Sequence, residues 1–286
     1  MRLVVKSNAS KGHQNHLRQA SPLNATIIAS GNSLTDCIFL GGPYGSKGAS
    51  YLVNQYNGGG IVSTIAKSTT PGSPMIWRWN NATTAPDAKA DIANYQLLVL
   101  TDASSNFNTN TYQPTQDALP ADALLWADHV WTNGNGGAGG ELILWAPWAR
   151  QDVADIEAQY QRRFTLWPQI QDYCNARLPA GKKPVRLIPG AWLWHQFWLD
   201  QQNGVAPSPT WYDDLFADDV HQYELGAYIA SLLHVVCLFG IDPYELADAI
   251  PGIQVPTPDE VEYIKSRMSS LVRSFGRAGV DTSGWQ

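Results

Sequence analysis

The chain has 286 residues, 44 % of them apolar and only 15 % charged, a balance that supplies a sizeable buried core and argues against disorder. Its 25 acidic and 19 basic residues leave a net charge of −6 with no dense run of Lys or Arg, so nucleic acid is not an expected partner. No run of about 18 apolar residues occurs, and no membrane span is expected.

Residues 1–23 are polar and aperiodic and read as an arm on the surface, followed by one domain over residues 24–286. The arm has only a three-residue apolar patch and lacks the apolar region of a secretory signal. Either the protein stays in the cell that makes it, or its signal is absent from this chain. His13 and His16 lie in the arm without a Cys or carboxylate to complete a metal site. Cys37, Cys174 and Cys237 are far apart, fit no metal-ligand spacing, and are odd in number, which disfavours a disulfide framework. None of the three reads as a nucleophile.

Five short apolar runs follow, at residues 25–29, 61–66, 95–100, 142–146 and 185–188. Several are rich in Val, Ile and Leu without alternation, as expected for strands buried on both faces of a parallel sheet. Helical segments lie between them, such as 151–166 with Val153, Ile156, Tyr160 and Phe164 at helical spacing. The expected fold class is α/β, a three-layer α/β/α sandwich around a largely parallel five-stranded sheet. The Gly-rich stretch 133–140 precedes a strand and lacks a following Lys-Ser/Thr, so it reads as a flexible loop. Two helices close the chain. One runs from Leu225 through Ile229 and Val236 to Gly240, with Gly226 and Ala227 small enough for close packing. The other has Thr257 as cap, Pro258 at its first position, Glu260 completing a capping box, and Gly276 as its stop.

The chemistry-bearing residues sit in two distant segments. Ser33 lies on a Gly-Asn-Ser turn after the first apolar run, where its hydroxyl would be exposed and its own N–H could face a developing oxyanion. The Ser33 and Asp36 spacing equally fits a capping box, which would make Ser33 structural. Near the other end, Asp218 and His221 stand three residues apart before an amphipathic helix, close enough for a carboxylate to reach the imidazole. If the segments meet, Ser33 would be nucleophile, His221 general base and Asp218 the residue orienting that base. Alternatively Asp218 or Asp219 caps the helix and His221 is a surface residue. His195 has only Asp200 at a helpful spacing and reads as packing or substrate contact. His129 and His234 read as structural.

The block Ser30-Gly-Asn-Ser33-Leu-Thr-Asp36 resembles the first motif of the SGNH hydrolases, the GDSL-type esterase superfamily, with Asn32 in place of the usual Asp. The block Asp218-Asp-Val-His221, followed by Leu225-Gly226-Ala227-Tyr228, resembles the last, and favours Asp218 over Asp219 as the partner of His221. The resemblance implies a serine esterase without metal or cofactor, and carbohydrate-active members suggest an acetylated glycan as substrate. A lipid or aryl esterase, or an inactive glycan-binding module on the same scaffold, is the alternative. It further implies an oxyanion hole from the Ser33 N–H, a glycine N–H after the second strand and an asparagine after the third. Gly72 suits the second role better than Gly58 to Gly60. The family's Gly-x-Asn-Asp is missing after the third strand, leaving Asn106 as candidate. Twelve tryptophans are many. Trp77 and Trp79, like Trp192 and Trp194, share a face if extended, and Trp77, Trp79 and Trp148 are the candidate sugar-stacking rings, with core packing as the alternative.

Overall fold

The computed structural model describes residues 21–39, 48–59, 65–103 and 118–285. Five strands, β1 (Ile27–Gly31), β2 (Ile65–Thr69), β3 (Leu97–Leu100), β4 (Glu141–Trp145) and β5 (Arg186–Ile188), form one sheet ordered β2-β1-β3-β4-β5. Every pairing in it is parallel. The unbroken apolar runs explain this: β1, β3, β4 and β5 are buried along their whole length, and only the edge strand β2 is partly exposed. Side chains such as Ile27, Ile28 and Leu98, wholly removed from water, each contribute about 1.5–3 kcal/mol of burial.

The helices are α1 (Ser33–Asp36), α2 (Gly48–Tyr56), α3 (Met75–Asn80), α4 (Leu119–Asn133), α5 (Ile156–Asn175), α6 (Gly190–Gln202), α7 (Glu224–Phe239) and α8 (Pro258–Ser274). α2 packs on α7, while α4 packs on α5, α5 on α6 and α6 on α8. With the sheet between them, these layers make the α/β/α sandwich that the alternating pattern predicts.

Differences from the sequence reading are local. The second strand occupies residues 65–69 rather than 61–66, and residues 61–64 lie outside the described set. α5 starts later than expected, where the Asp155 carboxylate accepts from the Ala158 amide at 2.8 Å, and continues to Asn175. Its buried face is formed by Tyr160, Arg163, Trp167, Ile170 and Cys174, leaving Val153 and Phe164 only half-buried. α7 is buried on every side from Leu225 to Phe239 and is not amphipathic; it ends, as expected, on Gly240 at φ +69°. α8 carries the full capping box between Thr257 and Glu260. The Gly-rich stretch connects α4 to β4. All three cysteines are free. His13 and His16 lie outside the described residues. The last residues of the expected arm are anchored: the Ser21 amide donates to the Leu238 carbonyl at 3.3 Å, and its hydroxyl accepts from Arg186 at 3.1 Å. Among the described residues no helix is long and apolar enough to cross a membrane.

Within α7 the His234 ring is fully buried against Trp145, centroids 4.5 Å apart, and its Nδ1 pairs with the Ala230 carbonyl at 2.7 Å. Burial depresses its pKa from 6.5 to about 4, with the Ala230 bond opposing. The folded state therefore holds this ring neutral where the unfolded chain protonates it, so its contribution to stability is present above pH 6.5 and is lost as pH falls toward 4. In urea denaturation, His234→Phe is expected to lose less stability than the unmodified protein between pH 6.5 and pH 4; an equal loss would refute the assignment.

Candidate active site

β1 has β2 on one side and β3 on the other, so the sheet reverses its order there and leaves a crevice outside the carboxyl ends of its strands. The Gly-Asn-Ser turn sits at this place. A Cβ on Gly31 would lie 1.9 Å from Thr35 Oγ1, so only glycine lets the chain double back so tightly. Asn32 is the cap of α1, its Oδ1 accepting from the Leu34 amide at 2.9 Å. Ser33 is then the first helical residue, and its N–H is one of those with no acceptor inside the helix. The capping-box alternative is excluded by these contacts. Asp36 instead binds Thr69 Oγ1 and pairs with Lys67 at 3.0 Å, tying α1 to β2.

The turn after β2 forms the next wall. Ser73 N donates to Thr70 O at 3.1 Å with Pro71 and Gly72 between, and Gly72 has φ +70°, which defines a type II turn. Among the described residues nothing accepts from the Gly72 N–H, and Gly72 is exposed. Thr70 N donates to Gly31 O at 3.0 Å, so this turn lies beside the serine turn.

Behind both turns lies Arg78, which belongs to no motif in the sequence. It is 1 % exposed. Nε donates to Ser30 Oγ at 3.0 Å, Nη1 to the carbonyl and, at 3.0 Å, the hydroxyl of Ser73, and Nη2 to the Thr101 carbonyl. Burial lowers its pKa to about 10 while the charge of Asp102 raises it, so it remains a cation at neutral pH. Asp102, also buried, accepts from the Met75 amide at 2.6 Å and caps α3, whose own cap position is the proline Pro74. Arg78 stands three residues after the buried Met75, on the same helical face; that spacing was the available signal.

The histidine segment is a short hairpin. Ala217 N donates to His221 O at 2.8 Å and Tyr223 N to Leu215 O at 2.7 Å, with Phe216 and Gln222 bridged between. Asp218 Oδ1 accepts from the amides of Val220 and His221, both at 2.8 Å, and Oδ2 meets His221 Nδ1 at 2.7 Å. With Nδ1 donating, Nε2 is left as the acceptor. Partial burial works against the Asp218 charge, but the bonds from the His221 imidazole and the two amides outweigh it and hold the pKa at about 2. Asp219 turns away, 3.6 Å from Arg150. The connection after β4 clamps this hairpin: Trp148 Nε1 donates to Val220 O at 2.6 Å and Gln151 N to Asp219 O at 2.7 Å. Ser33 is thus carried by the turn that leaves β1 and His221 by a hairpin clamped to the segment after β4; β1 and β4 themselves lie two strand spacings, about 10 Å, apart.

The other candidates fall elsewhere. Asn106 lies outside the described residues. Trp148 is wholly buried under the histidine hairpin, which corrects its assignment to substrate binding. Trp77 and Trp79 belong to α3, not to an extended segment, so they point roughly 200° apart. Trp79 packs edge-on against Trp126 at 5.3 Å under the Lys89 ammonium, and Trp77 is half-buried. Trp192 and Trp194 are likewise helical. His195 does have a carboxylate partner, Glu157 at 2.6 Å rather than Asp200; because it comes from the neighbouring helix α5, no spacing could reveal it. Asp200 is taken by Arg267 and Tyr263.

No protein-family model matches the sequence, and no curated protein matches it. Solved structures do. A DUF4886-family protein from Bacteroides uniformis superposes with TM-score 0.58 at 17 % identity, covering 87 % of this chain and 95 % of its own. Axe2, an acetylxylan esterase from Geobacillus stearothermophilus, gives 0.53 at 13 %, covering 77 % and 95 %. A GDSL-like lipase from Parabacteroides merdae gives 0.51 at 14 %, covering 76 % and 95 %. The chain has the fold of the SGNH, or GDSL-type, hydrolases.

Replacing Arg78 with Met would leave Ser30, Ser73 and Thr101 without their donor in a site closed to water. Each stranded buried group costs about 1–3 kcal/mol. Urea denaturation of Arg78→Met should show a loss of at least about 3 kcal/mol; a near-neutral variant would mean that Arg78 is not what holds these strand ends.

Proposed function

We propose that the protein is a serine esterase that removes acyl groups, acetyl above all, from a carbohydrate. The observation that carries this reading is the Asp218–His221 pair, bonded at 2.7 Å, on the same sheet edge as a serine released from capping by Asn32. In the proposed reaction Ser33 Oγ attacks the ester carbonyl while His221 Nε2 takes its proton. Asp218 keeps the imidazole in the required tautomer and stabilises the imidazolium. The developing oxyanion is received by the Ser33 and Gly72 amides, each such donor being worth roughly 2.7–4 kcal/mol in the transition state. His221 then returns the proton to the departing alcohol, and water releases the acyl group from Ser33 by the same route in reverse. The names of two proteins sharing the fold, an acetylxylan esterase and a GDSL-like lipase, support ester hydrolysis.

A fluorophosphonate probe tests the nucleophile. It should label the protein at Ser33 and leave Ser33→Ala unlabelled. Absence of labelling together with retained glycan binding would instead support an inactive binding module. Hydrolysis rates across acetylated polysaccharides and aryl esters separate a carbohydrate esterase from an aryl or lipid esterase.

The acid limb of activity tests the base. With Asp218 held at about 2, its carboxylate stays charged throughout an ordinary acid titration. The decline of log kcat/KM on acidification should therefore follow a single-proton slope, with no contribution from Asp218. A two-proton slope would show that a second group titrates in the working site.

A further inference from the structure

All twelve tryptophans are buried or half-buried, so a freely exposed ring is to be found among the other aromatic residues. Tyr223 is 54 % exposed and stands two residues after His221. Residues 221–223 run extended opposite 215–217, Tyr223 itself at φ −69°, ψ 177°. Alternate side chains of an extended segment face opposite ways. Gln222 faces inward: its Oε1 accepts from Trp194 Nε1 at 3.3 Å and occupies the space that a Cβ on Gly226 would need, 1.8 Å away. His221 and Tyr223 therefore share the outer face, about 6.6 Å apart along the chain. The Tyr223 backbone is pinned by its bond to Leu215 and by the start of α7, and among the described residues no ring contact or hydrogen bond occupies its side chain.

We propose that Tyr223 is the platform on which the alcohol part of the ester stacks, and that it selects esters whose alcohol is a pyranose. The inference rests on the esterase reading above. In that chemistry His221 Nε2 returns its proton to the leaving alcohol oxygen, so the alcohol, and not the acyl chain, lies on the histidine side. A pyranose presents a face of C–H groups, the surface an aromatic ring receives best, while the phenol hydroxyl is free to meet sugar hydroxyls.

The test holds the acyl group constant and changes the alcohol. kcat/KM is measured on peracetylated methyl xylopyranoside and on ethyl acetate for the unmodified protein, Tyr223→Ala and Tyr223→Phe. Tyr223→Ala should lose about tenfold more on the xyloside than on ethyl acetate, and Tyr223→Phe should keep the preference. Equal losses on the two esters would overturn the proposal, since Tyr223 would then act only through the position of His221; unchanged rates would overturn it too. Calorimetric titration with xylohexaose needs no turnover and separates this inference from the esterase reading. If neither ester is hydrolysed but Tyr223→Ala weakens xylohexaose binding about tenfold, the platform stands and the esterase does not. If binding is unaffected, the platform falls.

Discussion

A single guanidinium holds the crevice edge of this fold together. Arg78 reaches β1 through Ser30, the turn after β2 through Ser73, and the end of β3 through Thr101. Removing such a charge from water costs several kcal/mol, and hydrogen bonds to a charged group contribute about 1.5–3 kcal/mol each, so the arrangement is favourable only with its acceptors all in place. The fork of the guanidinium makes this possible: its donors diverge in one plane and meet acceptors on three chain segments at once. A lysine ammonium could not span them. The serine and glycine turns consequently share one rigid base.

The histidine half hangs from a different support. Trp148 and Gln151, both after β4, carry the hairpin of residues 215–223, and the Asp218 carboxylate closes its tip. Thr101 joins the halves. Its carbonyl accepts from Arg78, and its hydroxyl donates to the Trp145 carbonyl at the end of β4 at 2.8 Å. One threonine beyond β3 thereby ties the base of the serine turn to the end of β4, from which the support of the histidine hairpin departs.

The parts of this architecture legible in the sequence are those governed by neighbours along the chain. Unbroken runs such as Leu97-Leu-Val-Leu100 mark strands covered on both faces, and the Thr257-Pro-Asp-Glu260 sequence marks the start of α8. The Asp218 and His221 spacing anticipates their bond because the partners are three residues apart. What was hidden depends on contacts between distant segments. Trp77-Arg-Trp79 suggests paired rings only if extended, yet helix α3 turns one ring toward Trp126 and sends the arginine between them into the core. Glu157 meets His195 because α5 and α6 lie side by side. Trp148 looks like a surface ring until the hairpin closes over it. Ser33 and Asp36 have capping-box spacing, but Asn32 reaches the Leu34 amide first and Asp36 is drawn off by Lys67 and Thr69.

The cap at Asn32 also bears on the electric field around Ser33. An aspartate there would accept the Leu34 amide equally well, but it would set a formal negative charge on the residue next to a hydroxyl proposed to become a nucleophile and to carry an oxyanion beside it. The amide oxygen does the same capping with a dipole instead. Among the described residues, Asp102 is opposed by Arg78, Asp36 by Lys67 and Asp219 by Arg150, while Asp218 is turned toward the imidazole. What a negative transition state would meet at these strand ends is therefore set by local pairings more than by the chain's overall charge of −6.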